Sequence, residues 1–201
     1  MGGKKNFGDA NAGAVVVMDV NSGDILAMAS YPDFDPKVFI ENDTEAINEL
    51  WSDPNSPIVN RATSGRYAPG STYKPLVSIA ALESGVITPE TKIKCPYKEE
   101  IGDMMFTNLE GNQDYINLER ALETSSNMFF YKVGVQTGID KIVEWAKIFG
   151  FGKKTGIEIG EAIGSLASRE FKMQNFGEEW YPANTAMASI GQLYNGCQKN
   201  G

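Results

Sequence analysis

The stretch from Gly13 to Ser30 constrains the fold more than any other. Ala14-Val15-Val16-Val17-Met18-Asp19-Val20 is rich in apolar and β-branched residues. Asn21-Ser22-Gly23-Asp24 is turn chemistry, and Ile25-Leu26-Ala27-Met28-Ala29-Ser30 returns. Successive side chains of a strand point to opposite faces. Arms that are apolar at nearly every position are therefore apolar on both faces. Such a hairpin predicts a sheet covered on both sides, by helices.

The rest of the chain supplies those helices. Tyr31 to Pro69 is rich in prolines and turn-formers, with a short helix expected around Asp43 to Trp51. Ser71 to Ser84 is the clearest helix: Leu76, Val77, Ile79, Ala80 and Leu82 form its apolar stripe and Gly85 stops it. Proline is tolerated only in a first turn, where the N–H groups have no internal partner, so Pro75 places the helix start at about Ser71 or Thr72. Val86 to Asp114 reads as loop and short strand. Further helices are expected over 117–124, with Leu118 and Leu122 on one face, and over 127–135. Two more follow over 139–149, with Ile142, Val143, Trp145, Ala146 and Phe149 as a stripe, and over 181–192. The three tryptophans, Trp51, Trp145 and Trp180, are expected in the core or in pocket walls.

Charge and residue usage exclude several functions. The 201 residues hold 26 acids and 18 bases, a net charge of −8, with no basic cluster to bind nucleic acid. Histidine is absent, which removes the Ser-His-Asp triad, the Cys-His dyad and the commonest zinc ligand. A general base must then be Lys, Asp, Glu or Tyr. Cys95 and Cys197 have no metal-ligand spacing and read as free thiols. No run approaches the roughly 20 apolar residues of a membrane span.

The chemistry concentrates in Tyr67-Ala68-Pro69-Gly70-Ser71-Thr72-Tyr73-Lys74-Pro75. Ser71 and Lys74, three residues apart in a first helical turn, share a face. A serine hydroxyl needs an adjacent base, and a lysine amine becomes one when burial or positive potential lowers its pKa. A helix N-terminus supplies positive potential and N–H groups that can hold an oxyanion formed at Ser71. The competing reading makes Ser71 a helix cap and Lys74 a solvated first-turn residue. A second constellation is Ser125-Ser126-Asn127 before Met128-Phe129-Phe130-Tyr131; the competing reading makes Ser125 and Asn127 caps of the helix that follows, and both readings can hold together.

Together these segments resemble the active-site signatures of the penicillin-binding proteins: S-x-x-K on Ser71 and Lys74, and S-x-N on Ser125 and Asn127. Asp19 to Pro32 is similar to that family's first hairpin, Asn60-Arg61-Ala62 to its lead into the signature, and Ile190-Gly191-Gln192 to its "IGQ" segment. The resemblance covers about residues 12–192 and is closest to class B-type transpeptidase domains of the penicillin-binding protein and serine β-lactamase superfamily. Residues 1–11 are expected to be a linker end and 12–201 the N-terminal part of such a domain.

The resemblance implies an α+β fold, an antiparallel sheet flanked by helices beside an all-helical lobe that carries Ser125 and Asn127. It implies D,D-transpeptidation through an acyl-enzyme on Ser71, with Lys74 as its activator. Ser125 would relay protons, and Asn127 would hold substrate and Lys74. Implied partners are peptidoglycan stem peptides ending in D-Ala-D-Ala, β-lactam antibiotics and, for the parent protein, other cell-wall synthesis proteins. No cofactor or metal is implied. The implied location is the outer face of a bacterial cytoplasmic membrane, with the anchor outside this chain. Lys154-Thr155-Gly156 spells the family's third motif, but it follows a Gly150-Phe151-Gly152 turn and matches an "FG-x-KTG-I" connection instead. The strand bearing the catalytic K-T-G, with its oxyanion donor, and the last strands of the sheet are expected to lie beyond this chain. Alternatives are a serine β-lactamase or β-lactam sensor of the same fold, and a catalytically inactive fragment.

Overall fold

The computed structural model describes residues 11–196. The chain divides into two compact units, one running to Gly65 and including Ile157–Ala162, the other comprising Arg66–Gly156 and the chain from Ile163 onward.

The first unit holds β1 (Gly13–Met18) and β2 (Ile25–Tyr31), paired antiparallel from Gly13 opposite Tyr31 to Val17 opposite Ala27, with an irregularity before Met18. The turn is built as its residues predict. The Asp19 carboxylate accepts from the N–H groups of Asn21 and Ser22, and these bonds hold its pKa below the ordinary value. Gly23 supplies the left-handed backbone (φ 80°). Two short helices follow, α1 (Lys37–Ile40) and α2 (Thr44–Ser52), and Asp43 caps the second through the Ala46 N–H. Ser30 Oγ donates to the Val59 carbonyl and accepts from the Arg61 N–H, tying the stretch before the signature to β2.

The arms of the hairpin are exposed, Val15 at 62% and Leu26 at 66%. An apolar pattern on two faces shows what a strand can bury, not which surface buries it. Trp51 likewise lies exposed at 68% rather than in the core.

The second unit is helical, with short strands in the stretch read from the sequence as loop and short strand. A 3₁₀ turn over Gly70–Tyr73 runs directly into α3 (Lys74–Glu83). Then come β3 (Ile93–Cys95), β4 (Lys98–Ile101), β5 (Met104–Thr107) and β6 (Gln113–Ile116), paired antiparallel as β3 with β6 and β4 with β5. The helices α4 (Leu118–Glu123), α5 (Asn127–Thr137), α6 (Ile139–Ile148), α7 (Arg169–Phe176) and α8 (Pro182–Ser189) complete the unit. α3 packs against α5 and α6, and α5 against α8. Val77, Ala80 and Ala81 of α3 and Phe129, Phe130 and Val133 of α5 are fully buried. Apolar burial on this scale is the main driving force for holding the helices together. In α4 the buried pair is Leu118 and Ala121, whereas Leu122 is 40% exposed, so the i, i+3 partner took the place expected of i+4. Trp145 packs at the edge of the main core.

Cys95 is a free, buried thiol whose pKa burial pushes up to about 11, so it stays protonated at neutral pH. Cys197 lies outside the described residues.

Candidate active site

Pro69 and Gly70 turn the chain into the 3₁₀ segment, with Gly70 at φ 56°. Pro75 follows in the first turn of α3, where a missing N–H costs nothing. Ser71 does not cap this helix. Thr72 Oγ1 takes the local backbone bond, to the Pro69 carbonyl. Lys74 is not solvated: its side chain is buried within the unit at 2% exposure.

The second half of the site comes from the turn between α4 and α5. The N-cap of α5 is Ser126, whose Oγ accepts from the Phe129 N–H. Capping thus falls to the middle residue of the triplet, and the Ser125 and Asn127 side chains are left to face Lys74. Lys74 Nζ donates to Ser125 O at 2.6 Å, to Ser125 Oγ at 3.0 Å and to Asn127 Oδ1 at 2.7 Å. Ser125 Oγ in turn donates to Ser71 Oγ at 3.0 Å. The four residues singled out in the sequence therefore form one connected line, Ser71–Ser125–Lys74–Asn127. The structure corrects one detail: the amine that shares a helical face with Ser71 reaches it through the Ser125 hydroxyl.

The surroundings of the amine act on its charge in opposite directions. Burial pulls the Lys74 pKa down to about 8, against the opposing pull of the Glu110 charge. The Phe130 ring lies under the amine, 5.4 Å from Nζ to the centroid. Burial also raises the Tyr73 phenol well above its ordinary value. At 2% exposure, edge-on to Phe151, Tyr73 is a packing residue.

Ser125 adopts φ 54°, a left-handed backbone that costs a non-glycine residue about 1–3 kcal/mol and persists only where surroundings over-determine it. The surroundings do so here. The N–H groups of Ser125 and Ser126 bond back to the carbonyls of Leu122 and Ala121. Beneath them lies Asn108, fully buried, which sequence reading missed. Its Oδ1 accepts from the Met128 N–H, and its Nδ2 donates to Gly111 O and Gln113 Oε1. Gln113 continues to Thr124 Oγ1. The turn composition of Asn108 to Asn112 was the visible signal, but nothing in it indicated that the amide would face inward. Asn108→Ala leaves these groups unpaired in the interior and is expected to lower stability by about 1–3 kcal/mol, read in a denaturant titration.

The third motif falls outside this cluster. Lys154-Thr155-Gly156 lies in irregular chain after α6, on no strand.

The model of the penicillin binding protein transpeptidase domain matches residues 13–198. The chain belongs to this family. Peptidoglycan D,D-transpeptidase MrdA of Escherichia coli (strain K12) is 39% identical over 186 residues, covering 90% of this chain and 29% of that protein. The transpeptidase-domain fold is shared with the crystal structure of Pseudomonas aeruginosa PBP2 in complex with WCK 5153. That match has a TM-score of 0.84 at 34% identity, over 92% of this chain and 43% of that one. Penicillin-binding protein A from M. tuberculosis, solved as its penicillin G acyl-enzyme complex, matches at a TM-score of 0.78 and 28% identity, over 90% of this chain and 42% of that one. The chain thus spans less than a third of the MrdA sequence it matches. The α+β class expected from the sequence is the class of these transpeptidase domains.

Proposed function

We propose that this chain carries the acylation machinery of a peptidoglycan D,D-transpeptidase, with Ser71 as nucleophile. The observation that carries the reading is the unbroken line from Ser71 Oγ through Ser125 Oγ to the buried Lys74 amine. With Lys74 neutral, the line runs in the activating direction: Ser71 O–H donates to Ser125 Oγ, and Ser125 O–H to Nζ. As Ser71 Oγ bonds to the carbonyl carbon of a D-Ala-D-Ala amide, its proton moves to Ser125 and the Ser125 proton to Lys74. The developing oxyanion faces the Ser71 N–H at the head of the 3₁₀ turn. The bonds as they stand, with the ammonium donating to Ser125 and Ser125 to Ser71, suit the return step. When the C–N bond breaks, the leaving nitrogen takes its proton from Ser125, which is refilled from Lys74. Asn127 holds the amine in line throughout. An acceptor amine then displaces Ser71 by the same steps in reverse order.

By the same chemistry a β-lactam carbonyl acylates Ser71. The partners are stem peptides ending in D-Ala-D-Ala, β-lactams and, for the parent protein, other cell-wall synthesis proteins. The site of action is the outer face of the bacterial cytoplasmic membrane. Among the described residues no helix is long and apolar enough to cross a membrane.

The test is intact mass after incubation with benzylpenicillin, followed by digestion. One stable adduct on the peptide containing Ser71 is the expected result. No adduct in folded protein sinks the reading for this chain, and an adduct lost within seconds assigns it to a β-lactamase instead.

The amine must be neutral to accept a proton, and its neutral fraction grows with pH. The acylation rate is therefore expected to rise with pH through about 8 and level off above it. Because the Glu110 charge holds the Lys74 pKa up, Glu110→Gln is expected to move that midpoint to lower pH and to speed acylation at pH 7. A pH–rate profile of the two proteins measures both effects.

A further inference from the structure

The Ile190-Gly191-Gln192 segment takes no part in the proton line, yet its glycine touches the residue before the nucleophile. The Gly70 N–H donates to the Gly191 carbonyl at 2.9 Å. A Cβ built on Gly191 would lie 2.8 Å from Gly70 N and C and closer still to the Gly70 carbonyl oxygen, a separation real Cβ atoms do not show. The Gly70 carbonyl therefore rests directly against the Gly191 α-carbon. That carbonyl and the Ser71 N–H belong to one planar trans peptide and point in opposite directions. Whatever fixes the carbonyl fixes the N–H. Gly196 makes the same approach three residues earlier, where its Cβ would lie 2.9 Å from Tyr67 C.

Gly191 is in turn held at a defined height. It follows α8, and α8 lies so close to α5 that a Cβ on Gly134 would fall inside the Ser189 side chain. Asn127 opens α5. One helix thus refers both the Ser71 peptide and the Ser125–Asn127 turn to a common frame.

We propose that Gly191 is a positioning residue for acyl transfer: with no side chain, it seats the Gly70 carbonyl and so sets the direction of the Ser71 N–H. The proposal rests on the reading of Ser71 as the acylated nucleophile. It assigns Gly191 to the oxyanion side of the site and not to the proton line.

The test compares Gly191→Ala with Gly85→Ala. Gly85 also has positive φ (67°) but has open space around it, so alanine there brings backbone strain without the clash. For Gly191→Ala the acylation rate at saturating benzylpenicillin is expected to fall on the order of 10- to 100-fold, as misplacement near a reacting centre does. The midpoint of its pH profile should stay in place, since Lys74, Ser125 and Asn127 are untouched. Gly85→Ala should melt at a lower temperature and acylate at the wild-type rate. Hydrogen–deuterium exchange over peptides spanning 67–73 should be faster in Gly191→Ala only. The proposal is overturned if Gly191→Ala acylates like wild type, if both variants slow alike, or if exchange at 67–73 is unchanged. Wild-type protein that takes no adduct removes the serine reading, and the exchange comparison still decides whether Gly191 holds the Gly70 peptide.

Discussion

Lys74→Ala is expected to slow acylation by benzylpenicillin roughly 10²- to 10⁴-fold, the span associated with loss of a positioned general base. The variant removes the only cation hydrogen-bonded to Ser125 among the described residues, so the Ser125 hydroxyl can still touch Ser71 but has nowhere to pass a proton. Arginine is not a substitute. Its guanidinium does not deprotonate in proteins, and its planar fork does not fit three acceptors gathered around one nitrogen. Lys74→Arg should therefore be about as slow as Lys74→Ala. Stopped-flow acylation beside a melting curve separates the chemical loss from a folding loss. A Lys74→Ala protein that acylates at nearly the wild-type rate would place the base elsewhere.

The second large effect concerns stability. Phe130 is fully buried, meets Phe129 edge-on with centroids 5.5 Å apart, and lies under the Lys74 amine. Phe130→Ala removes a ring from the interface of α3 and α5 and leaves a cavity, and the expected cost is about 3–5 kcal/mol. Urea unfolding followed by circular dichroism measures it, and a loss below about 1 kcal/mol would contradict the burial described here. Phe130→Leu should cost less, because it keeps much of the volume while losing the aromatic contacts. Packing and chemistry share this side chain: the ring that fills the core also walls the amine away from water, and burial is what lowers the Lys74 pKa.

Much of this was legible in the sequence because it is local. The helix α3 follows from Pro75 and Gly85, whose backbone limits allow few alternatives, although its expected first turn from Ser71 is 3₁₀ and the α-helix proper starts at Lys74. The β1–β2 turn follows from Asp19 to Asp24. The grouping of Ser71, Lys74, Ser125 and Asn127 came from family resemblance, and the structure brings those four together. Spacing alone suggested that Lys74 would meet Ser71 directly. It could not show that a residue 51 positions away would stand between them. Nor could it show that Asn108 would turn inward, that Gly191 would meet Gly70, or that Leu122 and Trp51 would face outward. Those are properties of surfaces brought together by folding, and a pattern along one element does not contain them. The β1–β2 hairpin makes the same point from the other side, since apolar arms record a capacity for burial without naming the partner.

The backbone of Ser125 limits which residue can fill that position. Of the two aliphatic hydroxyl side chains, serine and threonine, only serine is unbranched at Cβ. At φ 54° a β-branched side chain is a genuine outlier, because its second γ-substituent crowds the neighbouring carbonyls. Glycine would relax the backbone and lose the oxygen. The turn that aims this hydroxyl between Ser71 and Lys74 therefore favours serine over threonine at position 125 by its backbone alone.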